Sequence, residues 1–376
     1  MLRVAIQMLF GDRTKYLTLV LGLAFATMLI NQQASIFLGL LIRSTGILQN
    51  ISQPDLWVTD PSTRFIVEYR ALADRKLDRV RSVPGVAWAE PLFTNLGIVE
   101  LNNGRFQRVQ IIGLPRSSLI GRPPEMTKGH IDDLRAPDAV VVEESSREKL
   151  DGVQVGEVLK LNDARAIVVG YCRAKKGFDS NAVIYTTYDN ALKFTPTGSK
   201  AISYILVKVQ DPARLEEVRA SINAIDGAAA FTRNEFALRT IDYILKDTGI
   251  GINFGITIVL GFFVGLLLSA AIFYQFTIEN LRNFAVLKAM GTHTRTLAAM
   301  VIAQALIVGI IGFGIGLGIA AIFTLMLRNA NAELDTLLPW QLVAGSFVAI
   351  IVCIVLASLL SLWRVVRVPP GVVFSS

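Results

Sequence analysis

The sequence predicts a membrane protein: four transmembrane α-helices, with a large α+β extracytoplasmic domain inserted between the first and the second. Three observations lead there. Of the 376 residues, 52% are hydrophobic and only 18% charged, whereas a soluble globular chain carries about 25% charged residues. Four apolar runs, Tyr16 to Ile42, Ile250 to Phe276, Leu297 to Leu327 and Leu342 to Trp363, each meet the roughly 20 residues that a helix needs to cross a bilayer. About 205 residues of ordinary soluble composition separate the first run from the second, room for one large domain or two small ones.

The elements follow in chain order. Residues 1–15 read as a cytoplasmic N-terminal helix and 16–43 as the first transmembrane helix. Its apolar stretch exceeds the roughly 7–15 residues of a signal-peptide core, and no small-x-small site follows, so a retained span is expected. Residues 44–248 form the extracytoplasmic domain, 249–277 the second span, and 278–296 a short basic cytoplasmic helix. Then come the third span at 297–328, a short outer loop at 329–341, the fourth span at 342–363 and a cytoplasmic tail at 364–376. Runs this long and apolar should be helices, because an open sheet edge does not survive in lipid.

The first and second runs are about 27 residues each, or about 40 Å at 1.5 Å per residue. The hydrocarbon core is only about 30 Å thick, so both helices are expected to continue past the outer surface and carry the domain. Asn31, Gln32 and Gln33 lie in the outer half of the first span, where amides facing lipid are costly. They are expected to pack against a neighbour.

Orientation follows from Lys and Arg in the short flanking segments. Arg3, Arg13 and Lys15 precede the first span, Arg282, Lys288 and Arg295 lie between the second and third, and Arg364 and Arg367 follow the fourth. The loop between the third and fourth spans has only Arg328, against Glu333 and Asp335. Both termini are therefore expected in the cytoplasm. The basic flanking residues, set against Asp12 and Glu279, account for nearly all of the net charge of +7. A nucleic-acid surface would concentrate charge on one folded domain, so nucleic acid is excluded as a partner.

In the outer domain, Phe65, Tyr69, Leu72, Leu77 and Val80 recur at helical spacing and predict a helix from Thr63 to Val83. From Val86 the period changes to two. Ile98–Leu101 and Arg108–Ile112 flank Asn102-Asn103-Gly104, a hairpin signal, and a second hairpin is expected around Asn162-Asp163. Further strands are expected at Ala139–Val142, Ala182–Tyr185, Tyr204–Val209 and Ala228–Phe231. Asp211-Pro212 has the form of an N-cap followed by proline at the first helical position, with Leu215, Val218 and Ile222 on one face. The domain therefore reads as α+β in two lobes.

Nothing in it reads as catalysis. There is no G-x-S-x-G elbow and no H-E-x-x-H. Asp132-Asp133 and Glu143-Glu144 are adjacent acids, which point apart on a strand or sit on a solvated turn. Cys172 and Cys353 fall in different compartments, and His130 and His293 are far apart, so neither a disulfide nor a metal site is encoded. The loop Cys172 to Asn181 carries Phe178 in an exposed-looking position, either solvated or a partner contact. With no P-loop and no charge deep in a span, the chain neither binds ATP itself nor couples to protons.

Glycines supply the spans' other pattern. Gly251–Gly255 and Gly261–Gly265 in the second span, and Gly312–Gly316 in the third, have the small-xxx-small spacing that lets helix backbones approach. The approach is either within one subunit or at a dimer seam.

One span, a large outer domain, then three spans with a short basic helix between the second and third: this layout resembles the MacB/FtsX-like permeases of ABC transporters over essentially the whole chain. The resemblance is sharpest at VLKAMG, Val286 to Gly291, and continues in AQALIVGIIGFGIGLG, Ala303 to Gly318. IQMLFGDRTKYLTLVLG from Ile6 looks like the family's lead-in helix, and RVVRVPPGVVF from Arg364 like its tail. APDAVVVEESSREKL from Ala136 and VVGYCRAKKGFDSNAVIYTT from Val168 look most like the DevC-type members. Asn283 stands where many members have glutamate, and Pro369 where aspartate is usual.

The resemblance implies a non-catalytic subunit that pairs with a second permease copy, as a homodimer, and with a dimer of ABC ATPase subunits that bind ATP and Mg. ATPase closure would move the outer domains without a substrate tunnel. DevC-type members resemble parts of tripartite exporters with a periplasmic adaptor and an outer-membrane channel. The alternative is an FtsX-like regulator of a cell-wall hydrolase; a roughly 200-residue outer domain favours the exporter. The segment 278–296 then becomes the coupling helix. Leu281, Phe284, Ala285 and Leu287 are expected to anchor it in the ATPase, flanked by Arg282 and Lys288, with Ala289 and Met290 completing the contact and Gly291 ending the helix in the left-handed conformation.

Overall fold

The computed structural model of the chain describes residues 7, 13–178, 181–195, 202–329 and 336–367. The expected N-terminal helix (but for its last residues), the middle of the outer loop at 330–335 and the tail beyond 367 lie outside the described residues. So do Asp179 and Ser180 of the Phe178 loop.

In chain order the elements are α1 (Arg13–Ser44), α2 (Gly46–Asn50), β1 (Leu56–Thr59), α3 (Asp74–Arg81), β2 (Val86–Glu100), β3 (Phe106–Leu114) and β4 (Glu125–Lys128). There follow β5 (Ala139–Glu143), β6 (Val158–Leu161), β7 (Ala164–Arg173), β8 (Ala182–Thr187), α4 (Tyr188–Lys193), β9 (Tyr204–Val209), α5 (Leu215–Asn223) and β10 (Ala229–Thr232). The last are α6 (Arg233–Lys246), α7 (Ile250–Glu279), α8 (Leu281–Ala289), α9 (Thr294–Asn329) and α10 (Trp340–Arg367). They make two compact units, Leu40–Gly249 and the remainder.

The outer unit is organised by β2. Its first half pairs with β9, which in turn pairs with β1. Its second half, Phe93 to Glu100, pairs with β3. Beyond β3 the ladder runs through β8, β5, β7 and β6 and returns to β2, closing six strands into a ring. Closure removes the exposed edges that an open sheet would present. Val99, Val109, Ile111, Val140, Leu161 and Val168 fill the ring's interior. A second core lies under the β1–β9 half, where Leu77 and Val80 of α3 and Val218 and Ile222 of α5 are buried. The expected two lobes correspond to these two cores, and β2 is common to both.

Both hairpins form where turn chemistry requires them. Leu101 N donates to Arg105 O at 2.8 Å, and Gly104 takes φ +79. Asn162 and Asp163 have φ 46 and 64, the pair of left-handed residues that a two-residue hairpin loop needs. Asp211 Oδ1 accepts from Ala213 N at 2.9 Å, capping the turn that leads into α5.

One expectation is corrected. The helix predicted from Thr63 to Val83 exists only as α3, Asp74–Arg81. Tertiary contacts hold the preceding segment irregular: Tyr204 Oη donates to Ile66 O at 2.5 Å, and Leu72 N donates to Ile202 O at 2.8 Å. Phe65, Ile66 and Leu72 are buried without a helix to present them. Their spacing matched the helical period, but burial here follows the irregular path.

The membrane unit contains, among the described residues, four helices long and apolar enough to cross a bilayer: Tyr16–Ser44, Ile250–Glu279, Thr294–Leu327 and Trp340–Leu359. Leu19, Leu23, Ala26 and Ile30 of α1 pack with Phe273 of α7, Val308 of α9 and Ile354 of α10. The glycines set how closely. A Cβ on Gly316 would sit 2.3 Å from Ala24 O, one on Gly312 2.8 Å from Leu23 Cβ, and one on Gly265 2.6 Å from Ala26 Cβ. Gly261 faces Ile30. These four pack within the chain. Gly255 has nothing within 4 Å, and Gly251 is half-buried in the first turn of α7. Asn31 is buried and accepts from Ser346 Oγ of α10 at 2.9 Å while donating to Thr27 O at 2.9 Å. Gln32 and Gln33 are half-buried.

α1 and α7 have 32 and 30 residues, about 48 and 45 Å at 1.5 Å per residue. Both exceed the roughly 30 Å hydrocarbon core. Only α1 runs on into the outer unit as one helix. On the return, α6 ends at Lys246 and Gly249 at φ +72 interrupts the chain before α7.

Candidate functional site

The short basic segment between the second and third spans folds as α8, Leu281–Ala289. It follows α7 after one residue, and Phe284 N donates to Asn280 O at 3.1 Å to start the first turn. At the other end Thr292 N donates to Leu287 O and Gly291 N to Lys288 O, both at 3.1 Å, with Gly291 at φ +88. This nested pair of bonds satisfies carbonyls that a helix end leaves open, and it needs a left-handed residue that glycine adopts without a Cβ penalty. The chain then turns at His293 into α9.

α8 buries its expected apolar face, but within the chain. Phe284 and Ala285 are 1% and 0% exposed, and Phe284 packs with Leu297, Met300 and Val301 of α9, backed by Leu287. The expectation of Phe284 and Ala285 as outward docking anchors is corrected: they fasten α8 to the next span. The sequence held a signal for this. Leu297, Met300 and Val301 make an apolar stripe at helical spacing just past the Gly291 corner, so the folded-back helix meets it directly.

The outward face consists of Arg282, Asn283, Val286, Ala289 and Met290, all exposed. Arg282, Val286 and Ala289 are spaced four and three apart and share one face, and Met290 is 68% exposed. Leu281 and Lys288 are half-buried at its border. Of the expected contact residues, Arg282, Ala289 and Met290 lie on this outward face and Gly291 takes the left-handed conformation that ends the helix; Val286, not named among them, shares the outward stripe.

The acidic pairs of the outer unit act as local fasteners. Asp132 pairs with Arg135 at 3.0 Å, and Asp133 accepts from His130 N at 2.8 Å. Glu143 accepts from the hydroxyls of Ser145 and Ser146 at 2.7 Å each, while Glu144 turns to Arg173 at 3.7 Å. Burial, with the charges of Glu143 and Glu144, pushes the Cys172 thiol far up, the reverse of what a nucleophilic thiolate needs. Among the described residues no three His, Cys, Asp or Glu side chains gather as metal ligands.

Two family models cover the chain. The MacB-like periplasmic core domain matches residues 17–225, and the FtsX-like permease C-terminal region matches residues 252–370. The chain is a MacB/FtsX-like ABC transporter permease. It is 25% identical over 302 residues to an uncharacterized ABC transporter permease of Mycobacterium tuberculosis, covering 80% of this chain and 78% of that one. It is 27% identical over 310 residues to another from Mycobacterium bovis, covering 79% and 77%. Among solved structures, the periplasmic region of MacB from Actinobacillus actinomycetemcomitans aligns with 53% of this chain and 96% of its own, at 14% identity and a TM-score of 0.38. For a permease of this family, membership implies a membrane location and an ATPase partner.

Proposed function

We propose that this permease converts ATP-driven motion of a separate ATPase dimer into movement of its outer domain, within a tripartite efflux or secretion system. The single observation that carries the reading is the construction of α8. Phe284 locks it to α9 and Gly291 closes its end, so a push on the outward stripe of Arg282, Val286 and Met290 is delivered to a transmembrane helix. A helix that merely rested on lipid would not need that fixed corner. In this reading the ATPase holds ATP and Mg, the basic flanking segments put both termini and α8 in the cytoplasm at the inner membrane, and a second permease copy completes a homodimer. A periplasmic adaptor and an outer-membrane channel would receive the motion of the outer domain.

Met290→Asp tests this directly, because the side chain is outward and its replacement leaves the α8–α9 packing untouched. The ATPase should fail to co-purify with the variant, while the variant inserts and melts like wild type. ATPase retained at wild-type levels by Met290→Asp and by Val286→Asp would refute docking on this face. Efflux by the reconstituted complex supports the exporter; hydrolase activation without efflux would replace it with the FtsX-like regulator.

A further inference from the structure

The outer unit joins the membrane helices at two places. At the first, α2 (Gly46–Asn50) follows α1 after the single residue Thr45, and Gln49 Nε2 donates back to Thr45 Oγ1 at 2.7 Å. At the second, α6 ends at Lys246 and three residues separate it from α7. Both connections are fastened to one small group of residues that the two apolar cores do not contain.

α2 grips the loop Arg173–Phe178. Asn50 is 5% exposed. Its Nδ2 donates to Lys175 O and its Oδ1 accepts from Lys175 N, both at 2.7 Å, so one amide satisfies both backbone groups of that residue. Lys175 Nζ donates to Gln49 Oε1 at 2.5 Å. A Cβ on Gly46 would lie 2.2 Å from Lys176 O, so the helix can sit this close only because residue 46 is glycine. The far end of the same loop carries Phe178. Its ring meets Phe65 edge-on at 5.7 Å and 87°, and Phe65 stacks on Tyr243 of α6 at 5.8 Å and 20°. Arg64 pairs with Asp247 across 3.7 Å. Phe178, exposed-looking in the sequence and read as either solvated or a partner contact, is thus half-buried and engaged inside the domain.

We infer that the loop Arg173–Phe178 with Phe65 is a mechanical junction that ties the two membrane connections of the outer domain together, so that the domain responds to both helices as one body. The path runs from Asn50 through Lys175 and Phe178 to Phe65 and Tyr243. It crosses no strand of the sheet. Aromatic pairs at these separations add attraction beyond their buried area, and the Asn50 amide leaves Lys175 no unpaired polar group. The inference rests on the power-stroke reading for its function, but the junction itself is testable without an ATPase.

The structural arm is hydrogen–deuterium exchange of the full-length permease in lipid nanodiscs. Losing these two partly buried hydrogen bonds should make loop opening roughly tenfold more frequent. Asn50→Ala should therefore raise exchange in 173–178 and also in 243–248, with β5 and β9 unchanged; Phe65→Leu should raise it in the same two segments. A response of Asn50→Ala confined to 46–50 and 173–176 would overturn the junction. The functional arm uses a fluorophore at Arg165→Cys, both native cysteines being buried, in the permease–ATPase complex. Wild type should show a nucleotide-dependent signal, each variant should lose most of it, and the double variant should be no worse than the worse single one. Asn50→Ala with the full wild-type signal overturns the inference and leaves the power stroke standing. A wild type with no signal overturns the power stroke and the junction's role in it.

Discussion

Replacing Gly316 with alanine adds one methyl group to α9, and its effect follows from where that methyl must go. The Cβ would sit 2.3 Å from the carbonyl oxygen of Ala24 and 2.7 Å from Thr27 Cβ. That is roughly 1 Å inside ordinary contact, and the first obstacle is backbone, which no rotamer change relieves. α1 and α9 must separate, at a cost of about 1–3 kcal/mol, typical of overpacking. Alanine regains part of this, up to about 1 kcal/mol, as a better helix former than glycine. The control lies on the same helix: Gly314 and Gly318 have nothing within 4 Å, so alanine there meets no obstacle and keeps the helix-forming gain.

The assay is the melting midpoint of the purified permease in detergent, where 1 kcal/mol shifts a domain of about 150–250 residues by roughly 2–4 °C and a larger chain by less. Gly316→Ala should lower the midpoint measurably, whereas Gly314→Ala should leave it unchanged or raise it. If the two substitutions shift it equally, or Gly316→Ala is the milder, the α1–α9 contact is not as close as described.

Other outcomes follow from the same geometry. Asn31→Leu removes the acceptor of Ser346 Oγ; with a net worth of about 0.5–1.5 kcal/mol per bond, melting should fall modestly, and Ser346→Ala should add little to the double variant. Single cysteines at Asn103 and His293, in a background lacking Cys172 and Cys353, should react with an impermeant thiol reagent from opposite sides of the membrane; labelling of both from one side would undo the orientation. Glu235 closes a capping box with Thr232 at the start of α6 and pairs with Arg219 at 2.8 Å. Burial works to raise its pKa, but the Thr232 hydrogen bonds and Arg219 outweigh it and hold the carboxyl below the ordinary value. The stability it contributes is therefore full above the unfolded carboxylate value of about 4.3 and is lost as pH falls through the lower folded value. Glu235→Gln should remove that pH dependence in a melting series from pH 6 to 3.

By itself the sequence determined what is decided locally or by the solvent. Bilayer thickness demands about 20 apolar residues per helix, so the four spans could be read from composition alone. Asn102-Asn103-Gly104, Asn162-Asp163, Asp211-Pro212 and Gly291 each set a turn or a cap through their own backbone preferences, which act over three or four residues. The tertiary structure decided what depends on partners far along the chain. Thr63 to Leu72 has helical spacing, yet Tyr204 and Ile202 hold it irregular. Phe284 has the position of an outward anchor, yet the Gly291 corner folds it onto Leu297 and Met300. Gly312 and Gly314 are alike in sequence, but only Gly312 meets α1. Which apolar side chain is covered, and by what, is a property of close packing between segments, and a period read along one segment cannot name the segment that comes to rest against it.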